Sequence, residues 1–403
     1  MSHAPALSVG MNFKLADAFL LWCFYKFGIS SKVDRLGLLF VLMSIVGVSS
    51  TIFYLNFEPP SSVYYASFSK INYSVEASIY NLYFIFICLT FGWFAYTKKI
   101  VTDMRTLQIY HFRLLLLVLC YCAYSFLAAR LGMPDIIPNF LDNRNDTPWL
   151  GNKVNGFMNE AGHLVVPLTF FPVLLVQQTK GVFFYMCLIL FIFVISVSLS
   201  TKSIILILLL FTVMFIHRKF FTLSLFILGL TLIVYLLNAL YPFVIKKIIY
   251  VLFIKIQQYL QGHDQFILGS AEYRSFTTAI GFDTWMNFPL GVGTGYSGAV
   301  VPAFIEQGIQ FGADTPKIGM KPNNAYVHLL VELGTIGFII FIVIVSVFLS
   351  TVRKSNSLNT AWLISFIAYF VLLTGFQPYY SSWFYLPLLL YWRAIKDERV
   401  RLH

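Results

Sequence analysis

Asn324, His328 and Glu332 stand four residues apart in the run Pro-Asn-Asn-Ala-Tyr-Val-His-Leu-Leu-Val-Glu that begins at Pro322. On a helix that spacing stacks the side chains on one face, about 6 Å apart along the axis. Pro322-Asn323-Asn324 closes a polar segment, and the residues after it open a long apolar stretch. The stripe therefore falls where a membrane helix enters the bilayer. An ionisable pair there is a functional-site hypothesis. A neutral imidazole suits general-base work near neutral pH, and a carboxylate one turn further on can orient it. A His held by a Glu for structural reasons is the plainer reading of the same spacing.

Other residues could handle an anion. Arg274 follows Glu272, with Asp283 further along the same polar segment. An Arg fork suits bidentate phosphate recognition, whereas a local Arg–Glu surface pair is the weaker alternative. Lys202 sits in Ser-Leu-Ser-Thr-Lys-Ser between two apolar spans with almost no loop. It offers a point charge beside hydroxyls and the free backbone N–H groups of the next helix start, or it snorkels to the interface. Glu160 and His163 are three apart at the start of another span, with Asp142 and Arg144 in the polar loop before it. The turn Pro289-Leu290-Gly291-Val292-Gly293-Thr294-Gly295 lacks the Gly-Lys-Ser/Thr ending of a nucleotide loop. Its glycines permit a tight backbone path against another element or a ligand. No spacing suggests a metal site, so the expected chemistry uses neither metal nor cofactor.

These residues must be positioned by membrane helices. The chain has 403 residues, 59% of them hydrophobic and only 11% charged, with a mean hydropathy of +0.77. Ordinary soluble domains carry roughly 25% charged residues. The expected fold is an all-α polytopic membrane protein of about 10–11 transmembrane helices with one large external loop. Candidate spans are 36–55, 77–96, 107–128, 156–176, 182–200, 203–216, 220–240, 326–350, 360–376 and 379–394, with 11–29 left open between a span and an interfacial helix. This gives three regions: helices over 1–240 with an external loop at 129–155, a large external loop at 241–324, and helices with a tail over 325–403. Inside that large loop, 244–260 reads either as an amphipathic surface helix or as a continuation of the preceding span.

The net charge of +11 does not point to nucleic acid. The basic residues collect in alternate short loops: Lys32 and Arg35, Lys98 to Arg105, Lys180, Arg218 and Lys219, Arg353 and Lys354, then the tail from Arg393. The positive-inside rule places these loops and the C-terminus in the cytoplasm, and 129–155 and 241–324 outside. The five cysteines all lie in apolar spans, so buried free thiols are expected rather than disulfides.

The turn at 289–295, Arg274 upstream of it, and the run Asn323-Asn324-Ala325-Tyr326-Val327-His328-Leu329-Leu330-Val331-Glu332-Leu333-Gly334 resemble the bacterial O-antigen polymerase and ligase family. The resemblance covers about 272–337 specifically and the rest more loosely. It implies a membrane glycosyltransferase with one large periplasmic loop, sited in the inner membrane. The family commonly has Ser-Arg where Lys202 stands, contacting a diphosphate. Its polysaccharide polymerases often carry a Gly-Phe-x-x-Glu element that Gly156 to Glu160 resembles. Together these imply His328 as base, Glu332 orienting it, and Arg274 and Lys202 on the diphosphate. Glu160, His163, Arg144, Asn324 and Tyr326 are then candidates for sugar or acceptor contacts. The implied partners are polyprenyl-diphosphate-linked oligosaccharides as donor and acceptor, membrane lipids, and a chain-length-regulating membrane protein. Within the family, polymerase is favoured over ligase. A lipid-linked oligosaccharide flippase is the reading from another class, disfavoured because no repeated halves stand out and the polar clusters sit at helix ends.

Overall fold

In the computed structural model, the residues described are 7–8, 12–13, 21–23, 25–26, 34–57, 73–96, 103–131, 141–142, 153–154, 164–198, 202–217, 270–298, 300, 322, 324–355, 358–375 and 382–402. They are overwhelmingly helical. Two short antiparallel pairs, Leu7–Ser8 with Asn12–Phe13 and Leu141–Asp142 with Lys153–Val154, add two residues per strand. Among the described residues, four helical segments are long and apolar enough to cross a membrane: Arg35–Tyr54, Met104–Ala128, Gly181–Ser198 and Ala325–Arg353. Shorter apolar helices occur at Asn81–Phe94, Pro167–Gln178, Ser203–Ile216 and Thr360–Leu372. The expected polytopic helical class is observed. The candidate span 220–240 and the stretch 244–260 lie outside the described residues.

The chain divides into two compact units. The first comprises 1–108, 270–359 and 369–403. Its main helices are α1 (Arg35–Phe57), α2 (Tyr73–Tyr96), α7 (Ser270–Asn287), α8 (Ala325–Arg353) and α10 (Ser382–Leu402). Helices α1 and α2 run antiparallel. A Cβ on Gly92 would lie 3.1 Å from the Gly37 carbonyl oxygen, one on Gly47 would touch Phe84, and Thr51 Oγ1 donates to Asn81 Oδ1 at 3.1 Å. Small residues let these backbones approach closely, as in other membrane helix pairs. One end of this unit is tied by Asp34. Its Oδ1 accepts from Gly37 N at 2.9 Å, and its Oδ2 takes Trp392 Nε1 at 3.3 Å and the Lys396 ammonium. Phe348, near the end of α8, stacks on Trp392. The basic segments around Arg35, Arg353 and Arg393 therefore share one end of the unit, as their alternation in the sequence implies.

The second unit comprises 109–269 and 360–368. It holds α3 (Met104–Leu131) from residue 109 onward, a short 3-10 turn at Pro167–Phe170, α4 (Phe171–Gln178), α5 (Gly181–Ser198), α6 (Ser203–Ile216) and the start of α9 (Thr360–Leu372). Aromatic rings fill its core. Phe171 stacks between Phe112 and Phe191 at 5.7 and 4.9 Å, and Phe170 meets Phe366 edge-on at 4.9 Å. Trp362 Nε1 donates to Gln177 Oε1 at 3.0 Å, which satisfies the indole at depth.

The outward faces are apolar too. Leu38, Leu42, Ile45 and Ile52 of α1 are exposed at helical spacing, as are Ile336, Ile339 and Val343 of α8. A helix apolar all round belongs in lipid. The cysteines are free, and Cys23, Cys88, Cys122 and Cys187 are buried as expected, while Cys120 is exposed.

Candidate functional site

Helix α8 starts on an Asn cap and breaks nine residues later. Asn324 Oδ1 accepts from Tyr326 N at 3.0 Å and Val327 N at 3.4 Å, while its carbonyl takes His328 N at 2.8 Å. At Gly334 the backbone turns to φ +66°, ψ −171°, a conformation open essentially to glycine alone. Every residue from Val327 to Gly334 is buried, whereas the apolar helix beyond it exposes a regular face. The break separates an enclosed half-helix from a lipid-facing one.

A broken helix in an apolar setting leaves N–H and C=O groups that must be satisfied. The glycine turn satisfies them. Val292 N donates to the Val331 carbonyl and Gly293 N to the Glu332 carbonyl, both at 2.9 Å. Thr335 N donates to the Pro289 carbonyl at 2.9 Å, with its hydroxyl on the same oxygen at 3.1 Å. Trp285 Nε1 in turn donates to Thr335 Oγ1 at 3.1 Å. Gly291, Gly293 and Gly295 all have φ near +90°. A Cβ on Gly291 would strike the backbone of 332–334, one on Gly293 would strike Thr51, and one on Gly334 would strike Leu290. The turn is fixed from the other side by Ser50 Oγ on the Leu290 carbonyl at 2.7 Å and Asn81 Nδ2 on the Thr294 carbonyl at 3.2 Å. The sequence reading that these glycines serve close approach holds, and what they approach is helix backbone.

After the turn the chain makes a short helical bend that carries Ser297. Ser297, His328 and Glu332 are each 0% exposed. Ser297 Oγ donates to Glu332 Oε1 at 2.5 Å and lies 3.0 Å from His328 Nε2, which is itself 3.0 Å from Glu332 Oε1. The three atoms close a triangle. This is not the relay of a Ser-His-acid triad, in which the acid and the serine meet opposite ring nitrogens. An apolar cluster of Tyr54, Ile280, Val292, Tyr296, Val300, Val327 and Val331 packs the turn, α7 and α8 together.

The expected site residues fare unequally. His328 and Glu332 are joined as their i, i+4 spacing implies. Asn324 caps the helix. Tyr326 sends its hydroxyl to the Phe370 carbonyl at 2.6 Å, so it ties α8 to the end of α9. Arg274 lies on α7, which packs against α8: a Cβ on Gly281 would meet Val327 and Pro322. Lys202 belongs to the second unit, at the N-cap of α6, half-buried, beside a Ser198–Ser203 hydroxyl pair at 3.1 Å. Arg144, Glu160 and His163 lie outside the described residues. Ser297 escaped the sequence reading altogether. It stands 31 residues from His328, and only its place just after the glycine turn hinted at it.

Residues 184–342 match the model of the O-antigen ligase family. The matched stretch is similar to that family over well under half of the chain. Comparison with curated proteins and with solved structures gave no match. The matched stretch includes Lys202, Arg274, Ser297, His328 and Glu332, and it leaves Arg144, Glu160 and His163 outside. It supports O-antigen polymerase or ligase activity, in a membrane setting consistent with the apolar helices.

Proposed function

We propose that the chain is an O-antigen polymerase, an inverting glycosyltransferase that joins polyprenyl-diphosphate-linked repeat units on the periplasmic side of the inner membrane. The observation that carries this reading is the His328–Glu332 pair, which lies in the stretch similar to the O-antigen ligase family and at the end of α8 opposite Arg353. A sugar hydroxyl of the acceptor repeat attacks the anomeric carbon of the donor. The bond to the diphosphate breaks, the polyprenyl diphosphate leaves with the electron pair, and the hydroxyl proton passes to His328. Glu332 orients the imidazole. Arg274 and Lys202 offset the charge that grows on the leaving diphosphate. Direct displacement inverts the anomeric centre. His328 is enclosed, so acceptor binding must uncover the ring before the proton moves. The basic loops and the C-terminal tail face the cytoplasm. No metal takes part, and a chain-length-regulating membrane protein is a candidate partner.

Depth supports an active site at the far interface. Thr51 lies sixteen residues from the start of α1, Asn81 fifteen from the end of α2, and Gly334 nineteen from the end of α8. At about 1.5 Å per residue these are roughly 24, 22 and 28 Å from the basic end. The hydrocarbon is about 30 Å thick, so the glycine turn lies near its opposite boundary. Ser297, His328 and Glu332 lie at or beyond that level, where a sugar attached to a lipid diphosphate would sit.

The ligase reading is the alternative, and the family match accommodates both. The ligase transfers finished polymer to lipid A-core. Lipopolysaccharide from a deletion strain separates the two. Core bearing a single repeat, with the ladder restored by complementation, is the polymerase result. Lipid-linked polymer that accumulates while none reaches the core is the ligase result and would overturn the proposal.

A further inference from the structure

The closed triangle of Ser297, His328 and Glu332 constrains where protons can be. With Glu332 ionised, as its role of orienting the base requires, its carboxylate only accepts, so both neighbours donate to Oε1. The Ser297 hydroxyl has one proton, and the 2.5 Å contact spends it on Glu332. Along the third edge, 3.0 Å long, Ser297 Oγ can then only accept. Nε2 of His328 therefore carries a proton on two counts, to Glu332 Oε1 and to Ser297 Oγ. In a neutral imidazole that leaves the lone pair on Nδ1.

We propose that Ser297 is a positioning residue that acts with Glu332 to hold the His328 proton on Nε2, making Nδ1 the nitrogen that takes the acceptor's proton. This rests on the reading of His328 as base. Ser297 differs from Glu332 in where it comes from. Glu332 shares the half-helix with His328, whereas Ser297 arrives on the segment docked against the break at Gly334. The ring is thus set only when the glycine turn is seated, which couples the docked backbone to the basic nitrogen. Burial strengthens the arrangement, because no water competes for the three atoms.

The test uses the purified full-length chain in lipid nanodiscs. Labelling with 15N-histidine, and comparison with His328→Gln, picks out one imidazole among the seven. Across a pH series, the neutral form of this ring should read as protonated Nε2 and unprotonated Nδ1. A protonated Nδ1 with a bare Nε2 would overturn the assignment. Turnover on a polyprenyl-diphosphate-linked repeat then isolates the hydroxyl. Ser297→Ala should lower kcat about ten- to hundredfold with KM little changed, since the lost contact acts on the base rather than on binding. Ser297→Thr should exceed its shape-matched partner Ser297→Val by a similar factor. Equal kcat within both pairs would show that Ser297 only packs and would refute its role. A fully active His328→Gln would instead remove the base reading. That outcome is separable, because the nitrogen resonances report the tautomer without turnover.

Discussion

At the scale of single residues, the proposed activity depends on whether the His328 imidazole accepts a proton. His328→Gln keeps a hydrogen-bonding side chain of similar length, but an amide does not take up a proton at neutral pH. It should therefore cut polymer synthesis by about 10²–10⁴-fold while membrane insertion and donor binding persist. Glu332→Gln should be milder, since the imidazole remains. Arg274→Ala should lower turnover by about 10²–10³-fold, as expected for a donor aimed at developing charge. Lys202→Arg should stay active where Lys202→Ala does not, because a cation is retained. These are read as donor consumption in membranes with matched expression. The His328–Glu332 pair was legible in the sequence because i, i+4 spacing on one helix fixes contact without tertiary information. Ser297 was not, since its partners are brought to it by a fold of the backbone. The spacing likewise showed Asn324 and Tyr326 as polar side chains near the site, but not that one caps α8 and the other reaches Phe370.

At the scale of elements, the break in α8 and the glycine turn form one device. Gly334-Thr335-Ile336-Gly337 falls inside the candidate span 326–350, whose apolar composition gives no sign of a break. Only the docked turn, supplying partners for the Val331 and Glu332 carbonyls, makes the break affordable in lipid. Two positive-φ glycines separate strain from steric block. Gly181 has φ +59° and open space where a Cβ would lie, while Gly334 has φ +66° and the Leu290 backbone in the way. Gly181→Ala should cost about 1–2 kcal/mol. Gly334→Ala should cost more, undock the turn and abolish activity. Thermal unfolding of the two variants in detergent checks the order. A Gly334→Ala chain as stable as Gly181→Ala, and active, would show that the docked turn does not hold the site.

At the scale of the whole molecule, hydropathy and charge carried the reading furthest. The helices at 35–57, 104–131, 181–198 and 325–353 match the apolar runs, because lipid on the outer face imposes length and composition directly. The grouping of basic segments at one end agrees with the loop alternation, as the Asp34–Lys396 tie shows. Less legible was the segment expected as one external loop over 241–324. Among its described residues, Ile280, Leu290, Val292, Thr294 and Tyr296 pack against α1, α2 and α8. Hydrophilic composition marks exposure on average and does not reveal a polar segment that repays burial through backbone hydrogen bonds. Cysteine labelling from outside should modify residues placed within 305–320 and spare those placed at 98–105. The reverse pattern would put the site on the wrong side of the membrane. The most direct measurement is turnover by the purified chain in nanodiscs, with a polyprenyl-diphosphate-linked repeat as the sole saccharide and EDTA present. Wild type should lengthen the repeat to dimers and longer products, released with free polyprenyl diphosphate, and His328→Gln should not. A wild-type chain that transfers nothing until lipid A-core is added, or a His328→Gln chain that matches wild type, would contradict the account.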